Sequence, residues 1–212
     1  MKLKWYGHAC FGMEFSGGPN VVTDPFDESV GYDLCRAQAD VVTTSHGHFD
    51  HNYVSSLAGE PTILNRPGLF TFDDLVARGV SSYHDAERGA RRGSNIIYIF
   101  ESDGLRIAHL GDLGHIPDMK QYAYLTDVDV LLIPIGGYYT IDTAAALEII
   151  GEVKPKIAIP MHFKTGVNNF PISDEREFAE KTGAKYWDGT QIEITRENID
   201  KYPGAIVLKY AD

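Results

Sequence analysis

Three histidines and one aspartate lie within a single stretch of six residues, His46-Gly47-His48-Phe49-Asp50-His51. Neutral imidazole nitrogens and carboxylate oxygens are the ligands that zinc and similar divalent ions take in proteins. If this stretch is an extended loop, His46 and His48 can point to one side while Asp50 and His51 project elsewhere. The pattern therefore indicates a metal site, and it serves two adjacent ions better than one.

Further ligands should come from other parts of the chain, because four residues make at most half of a two-metal site. Sites in layered α/β proteins collect at the carboxyl ends of strands, so ligands should closely follow β-type runs. Three residues of suitable type meet this condition, since the runs 79–83, 105–110 and 157–161 are followed by His84, Asp112 and His162. Together with the first stretch, they make a coherent set of candidate ligands.

The elements that must position these residues begin as a series of short strands. Apolar β-type runs occupy 3–6, 10–15, 21–23, 41–44, 95–100 and 105–109, and later strands are predicted at 128–134, 156–160, 192–195 and 205–210. Helices are predicted at 142–153, ending before Pro155, and from about 174 to 181, with Ser173 as the N-cap and Gly183 as the stop. Strands with helices interspersed indicate two sheets covered by helices, an α+β arrangement in a single domain, 1–212.

Length, charge and cysteine content exclude several classes of protein. The chain has 212 residues, enough for one domain with a substantial core, and its scattered Gly and Pro exclude a collagen-like chain. A net charge of −11 argues against a surface for long nucleic acids or anionic membranes. Cys10 and Cys35 match no disulfide framework and no CxxC motif. Because no signal peptide or transmembrane run is visible, we expect a cytoplasmic protein.

Several short motifs carry a resemblance to a known family. The sequence resembles the metallo-β-lactamase fold superfamily, and within it the small metal-dependent hydrolases that are similar to L-ascorbate-6-phosphate lactonase. The resemblance covers nearly the whole chain, and the signature HxHxDH at 46–51 is its most specific part. The other motifs are Gly7-His8-Ala9-Cys10-Phe11, Thr23-Asp24-Pro25, Gly111-Asp112, Pro134-Ile135-Gly136-Gly137 and Met161-His162.

The resemblance implies a four-layer αββα sandwich with two divalent ions at one edge of the sheets. It implies that the first ion is bound by His46, His48 and His84, the second by Asp50, His51 and His162, and that Asp112 bridges both. Zn²⁺ is the expected metal, with Mn²⁺ and Fe as alternatives. His109 is the rival to His84, but it lies within a strand, where we expect a hydrogen-bonded structural histidine.

Two ions bridged by Asp112 would lower the pKa of a shared water to about 7 and so supply a bridging hydroxide as nucleophile. The expected reaction is hydrolysis of an ester, lactone, amide or phosphodiester of a small substrate, and an anionic substrate is compatible with the charge of the ions. Asp112 and Asp50 are expected to act in catalysis through the ions. His115 is expected to act from a loop that overhangs them.

Other polar residues are candidates for supporting or substrate-binding roles. Asp24 is expected to accept a hydrogen bond from a metal-bound imidazole, because such rings usually donate their second N–H to a carboxylate or carbonyl. His8 is expected to line the pocket or to support a ligand. Tyr138, Tyr139 and Lys164 are expected to offer hydroxyl or ammonium groups to the substrate.

Three other functions fit the same fold. Phosphodiesterases and nucleases are one, but the extra domain or basic surface of the larger nucleases does not fit a chain of this length and charge, which leaves small cyclic or lipid phosphodiesters. A di-iron redox protein would have Glu at the second signature position, where this chain has His48. A binding module without activity would have lost ligands, whereas all seven positions are filled. The expected partner is a small molecule, and the oligomeric state is left open.

Overall fold

Residues 1–210, which the computed structural model describes, form two six-stranded β-sheets around a shared core. The strands are β1 (Lys2–Gly7), β2 (Cys10–Glu14), β3 (Val21–Thr23), β4 (Val41–Thr43), β5 (Thr62–Leu64), β6 (Gly68–Phe72), β7 (Leu75–Tyr83), β8 (Ser94–Ser102), β9 (Leu105–His109), β10 (Val130–Pro134), β11 (Ile157–Met161), β12 (Lys185–Tyr186), β13 (Gln191–Glu193) and β14 (Ile206–Val207). The α-helices are α1 (Met119–Tyr124), α2 (Thr143–Val153) and α3 (Arg176–Thr182). Short 3-10 helices occupy Glu28–Val30, Val54–Ser56 and Ile199–Lys201.

Parallel pairing in each sheet determines where the loops emerge. The first sheet has the order β13-β1-β2-β3-β4-β5, and its strands β3, β4 and β5 are parallel. The second sheet has the order β11-β10-β9-β8-β7-β6, and its strands β9, β10 and β11 are parallel. Parallel strands end at the same edge of their sheet, so the segments that follow them lie side by side.

The core between the sheets is built from the alternating inward side chains of both. Trp5 and Phe11 of the first sheet and Tyr98 and Phe100 of the second belong to one buried cluster. The Tyr98 hydroxyl donates a hydrogen bond of 2.7 Å to the carbonyl of Leu64, which joins the two sheets by a polar contact inside the core. The two-sheet α+β sandwich expected from the sequence is confirmed.

The layers outside the two sheets differ in composition. Helices α2 and α3 follow the parallel strands β10 and β11 of the second sheet and contact each other. A smaller core that includes Val22, Val42 and Phe26 covers the first sheet. Within residues 1–210 this smaller core combines residues of β2, β3 and β4 with residues of 3-10 helices and loops, and it contains no residue from an α-helix. No helix of residues 1–210 is long and apolar enough to cross a membrane.

Most of the predicted elements are present, with shifted ends. The helix predicted at 142–153 is α2, which Asp142 caps at its N-terminus. The helix predicted from about 174 begins at Arg176, and Ser173 is not its N-cap, because the backbone of Ser173 pairs with Gly136 and Lys164. Four short elements, β5, β6, β12 and α1, were not predicted. Each is brief and carries few buried side chains, so it leaves little apolar periodicity in the sequence.

A close backbone contact between the turns after β10 and β11 yields a stability prediction. A Cβ atom on Gly136 would lie 2.2 Å from the carbonyl oxygen of His162. Gly136→Ala should therefore force these turns apart and lower the free energy of unfolding by about 1–3 kcal/mol, measured by urea denaturation. Gly151→Ala is the matched control, because it fills open space on α2 and should stabilise the protein by up to about 1 kcal/mol. Equal unfolding midpoints for the two variants would contradict this packing argument.

Candidate metal centre

The segments that follow four strands, β4, β7, β9 and β11, bring all seven predicted ligands to one place. Their nitrogen and oxygen atoms form three overlapping groups, each with its ligand atoms within 4.8 Å of one another. The groups are His46, His48 and His84; His46, His51 and Asp112; and His8, Asp50, His51 and His162. The first group consists of the three residues predicted for the first ion. The third group contains the three residues predicted for the second ion, together with His8.

The first group consists of three imidazoles from two loops. His46 and His48 lie after β4, and His84 directly follows β7. Nε2 of His46 lies 2.9 Å from Nδ1 of His48, and the rings of His48 and His84 are 5.2 Å apart. Burial, together with the nearby His51, lowers the pKa of His46 to about 3, so this ring is neutral and has a lone pair available at neutral pH.

Asp112 lies between the two predicted ion sites. Its carboxylate oxygens are 3.2 Å from Nε2 of His51, 3.2 Å from Nε2 of His84 and 3.3 Å from Nε2 of His162. Burial alone would raise the pKa of this carboxyl, but the adjacent His162 and His51 hold it well below its usual range. Asp112 is therefore ionised and reaches both groups of imidazoles, as a bridging ligand must.

The third group is the most buried part of the site. His8, His51 and His162 are almost inaccessible to solvent, and Nε2 of His8 lies 3.2 Å from Oδ2 of Asp50. Burial would raise the pKa of Asp50, yet the charge of His51 and the hydrogen bond from His8 lower it. Burial also lowers the pKa of His8 to about 4, so its ring is neutral and donates to Asp50 through Nε2–H. His8 thereby orients a predicted ligand.

A buried carboxylate holds two of the predicted ligands in position. Asp24 accepts a hydrogen bond of 2.9 Å from Nδ1 of His51, which leaves Nε2 of that ring facing Asp112. The same carboxylate accepts from the backbone N–H of Ser45 at 2.7 Å and from its hydroxyl at 2.6 Å. The Ser45 oxygen in turn lies 3.0 Å from Nδ1 of His46. The predicted contact between Asp24 and an imidazole is present, and Ser45 extends it to a second ring.

Asn95 positions Asp112 and was not found from the sequence. Its Oδ1 accepts a hydrogen bond of 2.9 Å from the backbone N–H of Asp112, while its Nδ2 donates to Ser82 Oγ and to the Leu110 carbonyl. Gly111 permits this close approach, since its φ is +55° and a Cβ there would lie 2.4 Å from Asn95 Oδ1. A single asparagine at the start of a strand gives no sequence signal for such a role.

The donor atoms of the cluster fit divalent cations. Among the described residues, the buried atoms without a hydrogen-bond partner include Nε2 of His51, Nε2 of His162 and Oδ1 of Asp112. Buried polar atoms are normally satisfied, so a group of unpaired nitrogen and oxygen atoms that face one another indicates a place for a cation. Neutral imidazoles with two carboxylates are donors that suit zinc well.

A small pocket opens onto this cluster. It has a volume of about 250 Å³, and its lining includes the predicted ligands His48, Asp50, His84 and Asp112. The rest of its wall consists of Phe49, Arg91, Arg92, Tyr139 and Phe170. Of the predicted substrate residues, Tyr139 is part of this wall.

Three predicted residues lie outside the pocket lining, and His115 requires a correction. Both ring nitrogens of His115 are used by backbone, because Nε2 accepts from the N–H of Tyr83 at 3.2 Å and Nδ1 donates to the carbonyl of Ile116 at 2.8 Å. A ring held in this way stabilises the loop and does not overhang the cluster. Lys164 donates to the carbonyl of Phe170, and the exposed Tyr138 packs on Tyr139.

His109 has the structural role expected for a histidine within a strand. It is fully buried, its Nε2 donates to the Ala9 carbonyl at 2.8 Å, and its Nδ1 accepts from the N–H of Gly111 at 3.2 Å. Both nitrogens are therefore occupied, whereas Nε2 of His84 faces Asp112.

The chain is similar in sequence to known proteins over most of its length. Residues 2–162 match the family model of the beta-lactamase superfamily domain. A UPF0173 metal-dependent hydrolase from Archaeoglobus fulgidus is 31% identical, with 92% of this chain and 94% of that protein covered. A second, from Thermoplasma volcanium, is 30% identical over 192 residues, which cover 78% of this chain and 84% of the relative.

A solved structure is similar to this chain over nearly its full length. A crystal structure from Thermotoga maritima, assigned to the Zn-dependent hydrolases of the metallo-beta-lactamase superfamily, superposes with a TM-score of 0.83 at 33% identity and covers 99% of both chains. The expectation drawn from the sequence motifs is thus confirmed at the level of the superfamily. This chain belongs to the metallo-β-lactamase superfamily, as a metal-dependent hydrolase of the UPF0173 family.

Proposed function

We propose that this protein is a hydrolase that uses two Zn²⁺ ions to cleave an ester, lactone or amide bond of a small substrate. The observation that carries the proposal is the position of Asp112, whose carboxylate contacts imidazoles of both ligand groups at 3.2–3.3 Å. One carboxylate between two sets of donors suits a pair of ions. The zinc assignment of the Thermotoga maritima relative and the imidazole-rich donor set support the choice of metal.

Bound ions would supply a water of lowered pKa and would polarise the oxygen of the bond to be cleaved. The residues of the chain keep the ligands in the required orientation. Asp24 and Ser45 fix the rings of His51 and His46, Asn95 fixes the backbone of Asp112, and His8 fixes the carboxylate of Asp50. Because these supporting contacts are buried, the ligands are positioned before any substrate arrives.

The size of the pocket supports a small substrate. A volume of about 250 Å³ lies below the roughly 300–1,000 Å³ of sites that enclose drug-sized ligands. The walls combine the rings of Phe49, Tyr139 and Phe170 with two arginines. This lining accommodates a short acyl or lactone group better than a polymer.

The proposed activity is tested directly with the metal-loaded protein. We expect hydrolysis of p-nitrophenyl butyrate or of simple lactones, and a loss of at least about 100-fold in kcat/KM for Asp112→Asn, because the variant removes the carboxylate from between the two ligand groups. Bis(p-nitrophenyl) phosphate in the same assay distinguishes a phosphodiesterase. Unchanged activity in Asp112→Asn would show that this residue has no part in the reaction.

The number of ions is tested separately from activity. After equilibrium dialysis against Zn²⁺, we expect two ions per chain by elemental analysis, and one in His84→Ala, because this variant removes a donor from the first group only. His115→Gln is the matched control, since its ring forms hydrogen bonds only with backbone groups and lies outside the pocket lining, and the variant should retain two ions. One ion in the unmodified protein would contradict the two-ion proposal.

The supporting role of Asp24 is tested by metal affinity. Asp24→Asn replaces a carboxylate that accepts from His51 and Ser45, so we expect zinc affinity to fall by about 10- to 100-fold in competition with a chelator. Asp129→Asn is the control, because Asp129 is also buried but accepts hydrogen bonds from Arg106 and Arg196 at the opposite end of the second sheet. Equal affinities for the two variants would mean that the effect of Asp24 is only on stability.

A further inference from the structure

The loop from 85 to 93 follows His84 and is held rigidly by a single carboxylate. Oδ1 of Asp85 accepts from the backbone N–H groups of Glu87 and Gly89, both at 2.8 Å. Oδ2 accepts from those of Arg91 at 2.9 Å and Arg92 at 2.8 Å. Four backbone hydrogen bonds to one buried side chain fix the course of the loop, including the backbone of Arg92 itself.

The two arginines that this loop presents to the pocket differ in their partners. Arg91 is paired with Glu87, whose carboxylate lies 2.5 Å from its guanidinium and 3.0 Å from its Nε. Arg92 has no carboxylate oxygen within 4 Å in the part of the chain that the structure describes. Its guanidinium lies over aromatic rings instead, 5.5 Å from the centre of Tyr139 and 5.9 Å from that of Tyr138.

The position of Arg92 relates it directly to the metal centre. Arg92 lines the same pocket as Asp50, His84 and Asp112. The Tyr139 ring beneath it lies 6.5 Å from the ring of His162. The Arg92 guanidinium, a cation without a carboxylate partner, therefore lies in the wall of a small pocket, and the predicted ligand cluster forms the floor of that pocket.

We propose that Arg92 binds an oxyanion of the substrate, so that the substrate class is a small ester or lactone that carries a carboxylate or phosphate group apart from the bond that is cleaved. This inference rests on the proposed hydrolase function and specifies its substrate. The planar guanidinium presents paired N–H donors that match either anion. Its stacking on Tyr139 and the Asp85 contacts restrict its motion, which reduces the entropy lost on binding.

The charges around the pocket are relevant to the role of Arg92. Two aspartates of the predicted ligand set line the pocket, and Arg92 lies in the same wall without forming an ion pair with either. A role in packing alone would need only the contact with the tyrosine rings. An anion on the substrate would give this charge a partner and would orient the scissile bond toward the cluster.

The test compares two p-nitrophenyl esters on the metal-loaded protein. The anionic ester is the p-nitrophenyl monoester of glutaric acid, and the neutral one is p-nitrophenyl valerate, which has the same acyl chain length. Arg92→Gln should raise KM for the monoester by about 10- to 100-fold and leave kcat/KM for the valerate within about three-fold, because one charge-assisted hydrogen-bond pair is lost. Arg92→Lys, which keeps the charge without the planar fork, should lie between Arg92→Gln and the unmodified protein for the monoester.

Arg88→Gln is the matched control, because Arg88 lies on the same loop, is exposed and is not part of the pocket wall. It should leave KM for both esters unchanged, which would exclude a general effect of charge on the loop. Equal losses for both esters in Arg92→Gln, or no loss for the monoester, would overturn the proposal. Both of those results require that the monoester is hydrolysed, so they leave the hydrolase function intact.

A binding measurement tests whether Arg92 binds an anion even if neither ester is hydrolysed. Calorimetric titration of the metal-loaded protein with glutarate and with glycerol 3-phosphate should show binding of at least one, and Arg92→Gln should weaken that binding by about 10-fold or more. The anion that binds more tightly identifies the carboxylate or the phosphate as the preferred group. Failure of both anions to bind, or equal binding to Arg92→Gln, would overturn the inference.

Discussion

The buried carboxylate of Asp112 is the feature on which the rest of the site depends. A carboxylate taken out of water is costly unless charged or hydrogen-bonding partners surround it. Here three imidazoles face it at 3.2–3.3 Å, and one of them, His51, has a pKa well above its ordinary value because Asp112 and Asp50 outweigh the effect of its burial. Divalent ions bound by the same atoms would neutralise the carboxylates in place of the proton on His51. The cluster therefore favours the binding of cations.

Three residues of this site have strained backbone conformations. His8, Asp24 and His162 have φ values of +51°, +42° and +51°, a region that is unfavourable for residues with a side chain. Hydrogen bonds hold these turns in place, since the N–H of His162 donates to the carbonyl of His8 at 3.1 Å and that of Asp24 to the carbonyl of Thr43 at 2.8 Å. The strained turns lie directly before or after strands of both sheets, and they bring the two sheet edges together at the cluster.

The sequence predicted the ligands better than the residues that support them. The spacing of HxHxDH and the rule that sites follow strand ends identified seven candidate ligands that the fold brings together, because both signals are local. Asn95 and Arg92 could not be found in this way, since their roles arise from contacts across the fold. Asn95 lies opposite Ser82 in the β7–β8 register, and Arg92 reaches the pocket through the Asp85 loop. His115 was misplaced for the same reason, because its turn directs both nitrogens to backbone.

The central claim is that these residues bind two ions on either side of Asp112, and anomalous diffraction from a zinc-loaded crystal tests it most directly. Two zinc peaks are expected, one among the imidazoles of His46, His48 and His84 and the other among Asp50, His51 and His162. Asp112 should contact both. A zinc peak remote from Asp112, or a single peak with the second group still hydrogen-bonded to itself, would contradict it.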